Sequence, residues 1–314
     1  MAGNSVDQGL IPLFTTQFST NLEMLLQQEG SQLRGKVQEG AHVGKQASPI
    51  NQIGAVVAKS PSGRFTPKKR TDAEFVRRWV FPIPNEMDQL IDSFDELQTI
   101  VDPKSAYATN ASYAVGRVWD DQLINAATGI AFVGEDAGSL TQEQFVTANF
   151  QIAVNFGTTA ASSGLTVAKF IEAKRILRHY HNDLDRDRPT MVIGSKQESD
   201  LLSQVEVVST EYSDRPVLVD GNVKRFLGFD IVVMERLPST VGGTANTRGV
   251  LCFVKSGLYV GMWKEVTNRV SIRNDLTGEP YDLYTSVMSG ATRTQPGKVL
   301  QILCADSTGG DITP

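Results

Sequence analysis

Three histidines and two cysteines are a thin supply of metal ligands, nucleophiles and general bases for a chain of 314 residues. Cys252 and Cys304 lie far apart and match no metal or redox spacing. Both sit in apolar runs, which points to buried, reduced thiols and synthesis in a reducing cytosol. No GxxxxGKS/T phosphate loop, no GxSxG elbow and no GxGxxG after a strand occurs. No hydrophobic run is long enough to span a membrane. The opening residues, MAGNSVDQG, carry neither a basic region nor an apolar stretch, so no signal peptide is read there. An excess of basic charge is also missing. The formal net charge is −5, which argues against bulk nucleic-acid binding. Internal repeats and low-complexity segments are absent. These absences remove most enzyme classes, although they leave open an active site made only of carboxylates.

The residues that are present centre on Asp102 to Gly129. Asp102 can cap a first helical turn, Pro103 suits the first helical position, and Gly129 stands where a left-handed residue closes a helix. Ala108, Ala111, Val115, Trp119, Leu123 and Ala126 recur at three- and four-residue spacing, so one face is apolar. At 1.5 Å per residue this helix would be roughly 40 Å long, a strut suited to an elongated protein.

Before the strut, residues 1–50 read as an arm. Thr20-Asn21-Leu22-Glu23 is a capping-box pattern that opens a short helix with Phe18, Leu22, Leu25 and Leu26 on one side. Gly30, Gly35, Gly40 and Gly44 then interrupt the arm every few residues. Such a segment docks either on its own core or on a neighbouring copy. Residues 51–84 read as a long hairpin: Ile53 to Ala58 as one strand, turn chemistry at Lys59-Ser60-Pro61-Ser62-Gly63, and a return through Phe75, Arg77, Trp79, Phe81 and Ile83. Arg64, Lys68, Lys69 and Arg70 make its far part basic, either as a solvated loop or as a contact. A lone hairpin is marginal in water and needs a surface. Asn85 to Ile100 comes next, with apolar residues at helical spacing. The carboxylates of Asp88, Asp92, Asp95 and Glu96 read as a solvated helix face, since no His or Cys accompanies them.

Beyond the strut, Val146 to Phe156 alternates like a half-buried strand, and Gly157 to Gly164 is a small-residue loop. Thr166 opens a helix through Tyr180. Pro189 to Ile193 is a short strand, and Ser195 caps a helix ending near Val205. Val217 to Val219, Phe229 to Met234, Gly249 to Val254 and Leu258 to Trp263 are further strand candidates. Alternating strands and helices indicate a compact mixed domain over about 130–261. Val266 to Arg273, Leu283 to Met288 and Val299 to Cys304 then return as strands, and Asp306 to Pro314 is a polar tail.

The sharpest chemical candidate is His179-Tyr180-His181-Asn182-Asp183-Leu184-Asp185-Arg186-Asp187. Histidines two apart on a helix face different directions, and the calcium-loop glycine and its twelfth-position glutamate are missing. A helix end running into a polar loop explains the run, with Arg186 and Arg188 neutralising the aspartates. No catalytic, cofactor-binding or metal residue is assigned.

This order of elements resembles the major capsid protein of tailed bacteriophages, the Hong Kong 97-type α+β fold. The similarity covers nearly the whole chain. Gly221-Asn222-Val223-Lys224-Arg225-Phe226-Leu227-Gly228-Phe229-Asp230-Ile231 looks like that family's turn and strand. Ser289-Gly290-Ala291-Thr292-Arg293 before Val299-Leu300-Gln301-Ile302-Leu303 looks like its closing strands. The resemblance implies an N-terminal arm (1–50), an extended E-loop hairpin (51–76) and a P-domain first part (77–129) with its spine helix (103–128). It implies a compact A-domain (130–261), P-domain return strands (262–305) and a C-terminal tail (306–314). It implies a non-enzymatic, icosahedral head subunit, made in the host cytoplasm, that forms hexamers and pentamers around double-stranded DNA in the virion. Implied partners are other copies and a portal, and, since only about fifty residues precede the hairpin, either a separate scaffolding protein or a mature chain is implied. A decoration protein and DNA held without sequence preference complete the set, with no membrane and no cofactor. Covalent crosslinking through Lys59, Lys68 or Lys69 is not expected. Arg64, Lys68, Lys69 and Arg70 are expected to meet Asp88, Asp92, Asp95 and Glu96 of a neighbour. Two other readings stay open: an encapsulin-like compartment, and a soluble metal-dependent enzyme centred on His179 and His181.

Overall fold

A computed structural model describes residues 27–45, 47–60, 63–65, 67, 70–91, 103–136, 138–157, 162–204, 224–241, 246–277 and 279–306. In chain order come β1 (Gln38–Ala41), β2 (Ala47–Ile53), β3 (Phe75–Val80), β4 (Ile83–Ile91), α1 (Pro103–Thr128), β5 (Ala131–Val133) and β6 (Thr141–Glu143). Next are α2 (Thr147–Phe150), β7 (Gln151–Ile152), α3 (Val167–His179), β8 (Pro189–Ile193), α4 (Ser195–Leu202), β9 (Arg225–Phe226) and β10 (Phe229–Val233). The chain closes with β11 (Thr247–Val254), β12 (Leu258–Ile272), β13 (Tyr281–Arg293) and β14 (Val299–Ala305). Single 3-10 turns at Lys255–Gly257 and Pro296–Lys298 precede β12 and β14.

These strands form three sheets, ordered β1-β12-β13-β4, β7-β14-β11-β8-β10-β9 and β2-β3-β5-β6. The six-stranded sheet is the middle layer of the compact part. Its central strands, β8, β11 and β14, are buried on both faces, and successive side chains point opposite ways. Met191, Ile193, Val250, Cys252, Leu300, Ile302 and Cys304 pack with Phe170, Ala173, Leu177 and Leu201 of α3 and α4. Val192, Leu251, Phe253 and Val299 turn the other way, toward Val115, Trp119, Leu123 and Ala127 of α1. One strand pattern thus holds two helical layers. The buried thiols are free, and burial raises both, that of Cys304 to about 12.

The fully buried Lys169 on α3 fixes the small-residue loop. Its ammonium donates to the carbonyls of Val154 (3.0 Å), Ser163 (2.9 Å), Gly164 (2.8 Å) and Leu303 (2.9 Å). Burial pushes its pKa down, and the four oxygens replace the water it has lost.

The long helix runs as the sequence predicts, from Pro103 to Thr128, but it does not end on a left-handed glycine. The Gly129 N–H bonds to Asn125 O at 2.8 Å, continuing the helical ladder. The cap comes from the end of β13. Buried Arg293 donates to Ala127 O (2.9 Å) and Gly129 O (3.0 Å), placing a cation at the negative end of the helix. Ile124 and Ala127, rather than Ala126, complete the buried face.

Three expectations are corrected. Residues 83–91 form strand β4, in register with β13 from Ile83↔Ser289 to Ile91↔Tyr281, where the spacing predicts a helix over 85–100. Pro82 and Pro84 oppose helical backbone just before it, and the mixed polar–apolar run suits either period. Residues 92–100 lie outside the described residues. Val146 to Phe156 is a helical turn, a two-residue strand and a further turn, because only Gln151 and Ile152 find a partner strand in β14. Leu258–Trp263 and Val266–Arg273 are one bulged strand through Ile272. The last strand, β14, pairs with β11 and β7 in the six-stranded sheet. Val217 to Val219 falls outside the described residues, as do Gly221 to Val223. The rest of that run makes a tight β9–β10 hairpin whose two turn residues, Leu227 and Gly228, both have positive φ.

Candidate assembly surfaces

The described arm docks on its own long helix. Asp120 is fully buried on α1. One of its oxygens accepts Ser31 Oγ (2.5 Å) and Leu33 N (3.2 Å), and the other accepts Gln28 Nε2 and Gln32 N (3.0 Å). Arg117 holds Gln27 Oε1 and Gln28 O. Gly116 makes the crossing fit, since a Cβ there would lie 2.4 Å from the Gly30 carbonyl carbon. Arg34 lies over the Trp119 ring at 4.5 Å, Leu33 and Val37 enter the core, and β1 pairs in parallel with β12. Residues 27–41 therefore pack on their own core. Residues 1–26, with the capping box and Phe18, Leu22, Leu25 and Leu26, lie outside the described residues. His42 packs on Trp263 and meets Tyr259 OH at 2.7 Å, and burial lowers its pKa.

The hairpin has a fixed root and an exposed far part. β2 pairs with β3 from Ala47↔Val80 to Ile53↔Phe75, and Gly54 N adds a bond to Glu74 O. At the root Trp79 donates to Gly134 O (2.9 Å), and buried Arg78 ion-pairs with Glu143. Farther out, Val57 is 74% exposed and Phe65 fully exposed, beside Arg64 and Arg70. Lys68 and Lys69 lie outside the described residues.

Of the four expected acidic contacts only Asp88 is described; Asp92, Asp95 and Glu96 are not. Asp88 stands on the exposed side of β4, at the edge of its sheet. A hydrogen bond to the Asp282 carboxyl, then desolvation and charge repulsion from that carboxyl, raise its pKa. Asp282 is buried, and its Oδ1 has no hydrogen-bond partner among the described residues. Arg273 stands 3.6 Å from Asp282 Oδ2 and grips Asp275 with two 2.8 Å bonds, holding that carboxyl at about 2. Glu86 accepts Tyr284 OH at 2.9 Å. Among the described residues no ion pair joins Arg64 or Arg70 to Asp88 within the chain.

The histidine run takes a non-chelating form. His179 ends α3, and His181 turns at φ +59°. Asp183 accepts the amides of Asp185 and Arg186, and Asp187 accepts the amide of Ser256. Asp183 and Asp187 are thus satisfied by backbone N–H groups, and among the described residues no ion pair joins them to Arg186 or Arg188, where the sequence suggests that these arginines neutralise the aspartates. Among the described residues no cluster of His, Cys, Asp and Glu can hold a metal ion, and no helix is long and apolar enough to cross a membrane.

Residues 10–306 match the family model described as phage capsid protein. The chain belongs to that family. No curated protein matches it by sequence. Among solved structures it is similar to a chain in the capsid of the cyanophage P-SCSP1u, at 16% identity and TM-score 0.74, over 98% of this chain and 97% of that one. It is also similar to the cyanophage Pam1 capsid, at 12% identity and TM-score 0.69, over 97% and 100%. To the mature capsid of bacteriophage PhiM1 it is similar at 16% and 0.67, over 94% and 93%. The mixed helix-and-sheet fold is therefore that of phage capsid chains. This capsid chain is a structural subunit of a phage head, located in the virion shell and assembling with copies of itself. The family match favours the virion over a cellular compartment.

Proposed function

We propose that the subunit builds its icosahedral shell as hexamers and pentamers enclosing double-stranded DNA, through contacts alone and without catalysis. The observation that carries this is the hairpin, which sets Val57 and Phe65 in solvent at the end of a root held by its own chain. Exposed apolar side chains on an extended segment mark a surface awaiting a partner. In this reading the hairpin (51–76) lies across the neighbour's 77–129 region, and the compact part (130–261, with β14) lines the symmetry axes. The remaining return strands of 262–305 brace the long helix, and the tail (306–314) and the part of the arm (1–50) beyond its seat on that helix make peripheral contacts. The chain is made in the host cytoplasm. A portal and a separate scaffolding protein take part in assembly, a decoration protein binds outside, and packaged DNA is held without sequence preference.

Arg64, Lys68, Lys69 and Arg70 of one copy would then meet Asp88, Asp92, Asp95 and Glu96 of the next. Each exposed pair contributes ~0–1 kcal/mol, so repetition sets register and rate more than strength. Electron microscopy of the purified protein, with light scattering for mass, tests the assembly. Rings, tubes or closed shells are expected. A strict monomer at high concentration, even with a scaffolding partner, would overturn the reading. Reversing Lys68 and Lys69 to Glu should slow assembly or steepen its salt sensitivity, and unchanged kinetics across salt would remove the charge contact.

A further inference from the structure

The turn after α3 and the two 3-10 turns enclose a cleft of about 450 Å3. Its walls are tied together. Asn182 Nδ2 donates to Leu177 O (2.9 Å) and to Gly297 O (2.8 Å), joining the first wall to the turn before β14. Asp187 accepts the Ser256 amide at 3.0 Å, joining it to the turn before β12. Arg186, Lys255 and Lys298 line the cleft with His181. The two aspartates that also line it, Asp183 and Asp187, already accept backbone amides. None of the three cations is ion-paired with a carboxylate among the described residues. The result is a concave site with three cations against two carboxylates, a small net positive charge on a chain whose net charge is −5.

We propose that this cleft receives a carboxylate-bearing segment of a second copy of the chain. The claim rests on the shell reading above and adds a contact to it. Charge complementarity selects the occupant: a divalent metal would meet three cations against two carboxylates that already hold amides, whereas a second copy, with 35 acidic against 30 basic residues, supplies carboxylates to face the cations. The cleft is also concave, which suits an inserted side chain, and a DNA duplex is too broad to enter it.

The test uses the intact chain and a fluorescein-labelled hexaglutamate peptide, read by anisotropy at low salt. The wild type should bind the peptide in a salt-sensitive manner. Lys255→Glu with Lys298→Glu should weaken binding about tenfold, while the Lys→Arg pair keeps it. The same reversal should slow assembly in light scattering. Should the reversed chain fail to fold, Lys255→Gln with Lys298→Gln replaces it, since both wall tethers use Asn182 and Asp187. Peptide binding that survives the reversal overturns the proposal. So does assembly that is unaffected by it, or binding of a duplex oligonucleotide that the reversal removes while peptide binding stays. The peptide is read on unassembled subunit, so a failed shell reading shows as a wild type that never assembles. A failed cleft shows as wild type and reversal assembling alike.

Discussion

The compact part and the hairpin with its neighbouring edge strand treat polar and apolar groups in opposite ways. In the compact part even a lysine is fully buried, and four carbonyls of its own chain surround it. Beside that part, at the end of β13, Arg293 is equally buried and caps a helix of the same chain through its terminal nitrogen, although its Nε has no partner among the described residues. On the hairpin Phe65 stands in solvent, and on β4 the Asp282 carboxyl beside Asp88 outweighs the pull of Arg273 and raises its pKa. Buried groups left without partners cost several kcal/mol, so the first region must be complete before assembly. Exposed groups cost little, so the second can wait for a neighbour. A shell subunit needs both: a body that is the same in every environment, and edges that another copy completes.

That contrast breaks most severely at Lys169. Lys169→Met removes the ammonium and leaves four carbonyls facing an apolar side chain. The expected loss is about 3–5 kcal/mol of stability in urea unfolding. A loss below ~1 kcal/mol would mean that water enters the cage, and that the body is less complete than its geometry indicates.

Gly116→Ala comes next, and its sign is informative. Alanine favours an isolated helix over glycine by about 1 kcal/mol. Here its Cβ would sit on the backbone of Gly30 and Ser31, so the arm must lift. Releasing Leu33 and Val37 outweighs the helical gain, for a net loss of about 2–3 kcal/mol. Hydrogen exchange should show 31–37 opening while α1 stays protected. Protection unchanged in both would mean that the arm shifts without leaving.

The hairpin should behave in the reverse manner. Val57→Ser with Phe65→Ser should change subunit stability by no more than ~0.5 kcal/mol, because neither side chain is buried within the chain. Association should weaken by about a hundredfold if both become buried in the shell. Comparing unfolding midpoints with light scattering of assembly separates the two effects. Loss of subunit stability would place these residues in the body after all.

The body is easier to read from sequence than the edges, for physical reasons. α1 carries its start signal, Pro103, and a long apolar stripe. Strands β8, β11 and β14 are continuous apolar runs that only a buried sheet accommodates. β4 reads wrongly as a helix because Met87, Leu90 and Ile91 fit a helical period, while its strand character depends on β13, nearly two hundred residues later. The arm seat leaves two faint marks: a glycine inside a helix, and Asp120 next to Trp119 on an apolar face. The helix cap by Arg293 leaves none, since its partners are distant in sequence. The basic cleft is hidden for the same reason, as Arg186, Lys255 and Lys298 come from three separate turns.

The smallest expected effect lies at Asp88, where the comparison is sharpest. The pKa of Asp88 is raised in the folded subunit above the ordinary 3.8. The folded state therefore holds this proton more tightly than the unfolded state does. Its stabilising contribution is full below the ordinary value and is lost as pH rises through the raised one. Asp88→Asn keeps a donor to Asp282 at every pH. The variant should match the wild type in acid and melt slightly higher near neutrality, as read by Tm across that range. If a neighbour's cation docks at Asp88, as proposed, that contact runs the other way. It needs the Asp88 charge, competes with the shared proton and strengthens as pH rises. Near neutrality Asp88→Asn should therefore stabilise the subunit and weaken assembly together. A residue that costs its own fold a little and serves a neighbour is what an edge built for another copy requires. If Asp88→Asn strengthens both, Asp88 belongs to the body, and the acidic strand takes no part in the contact.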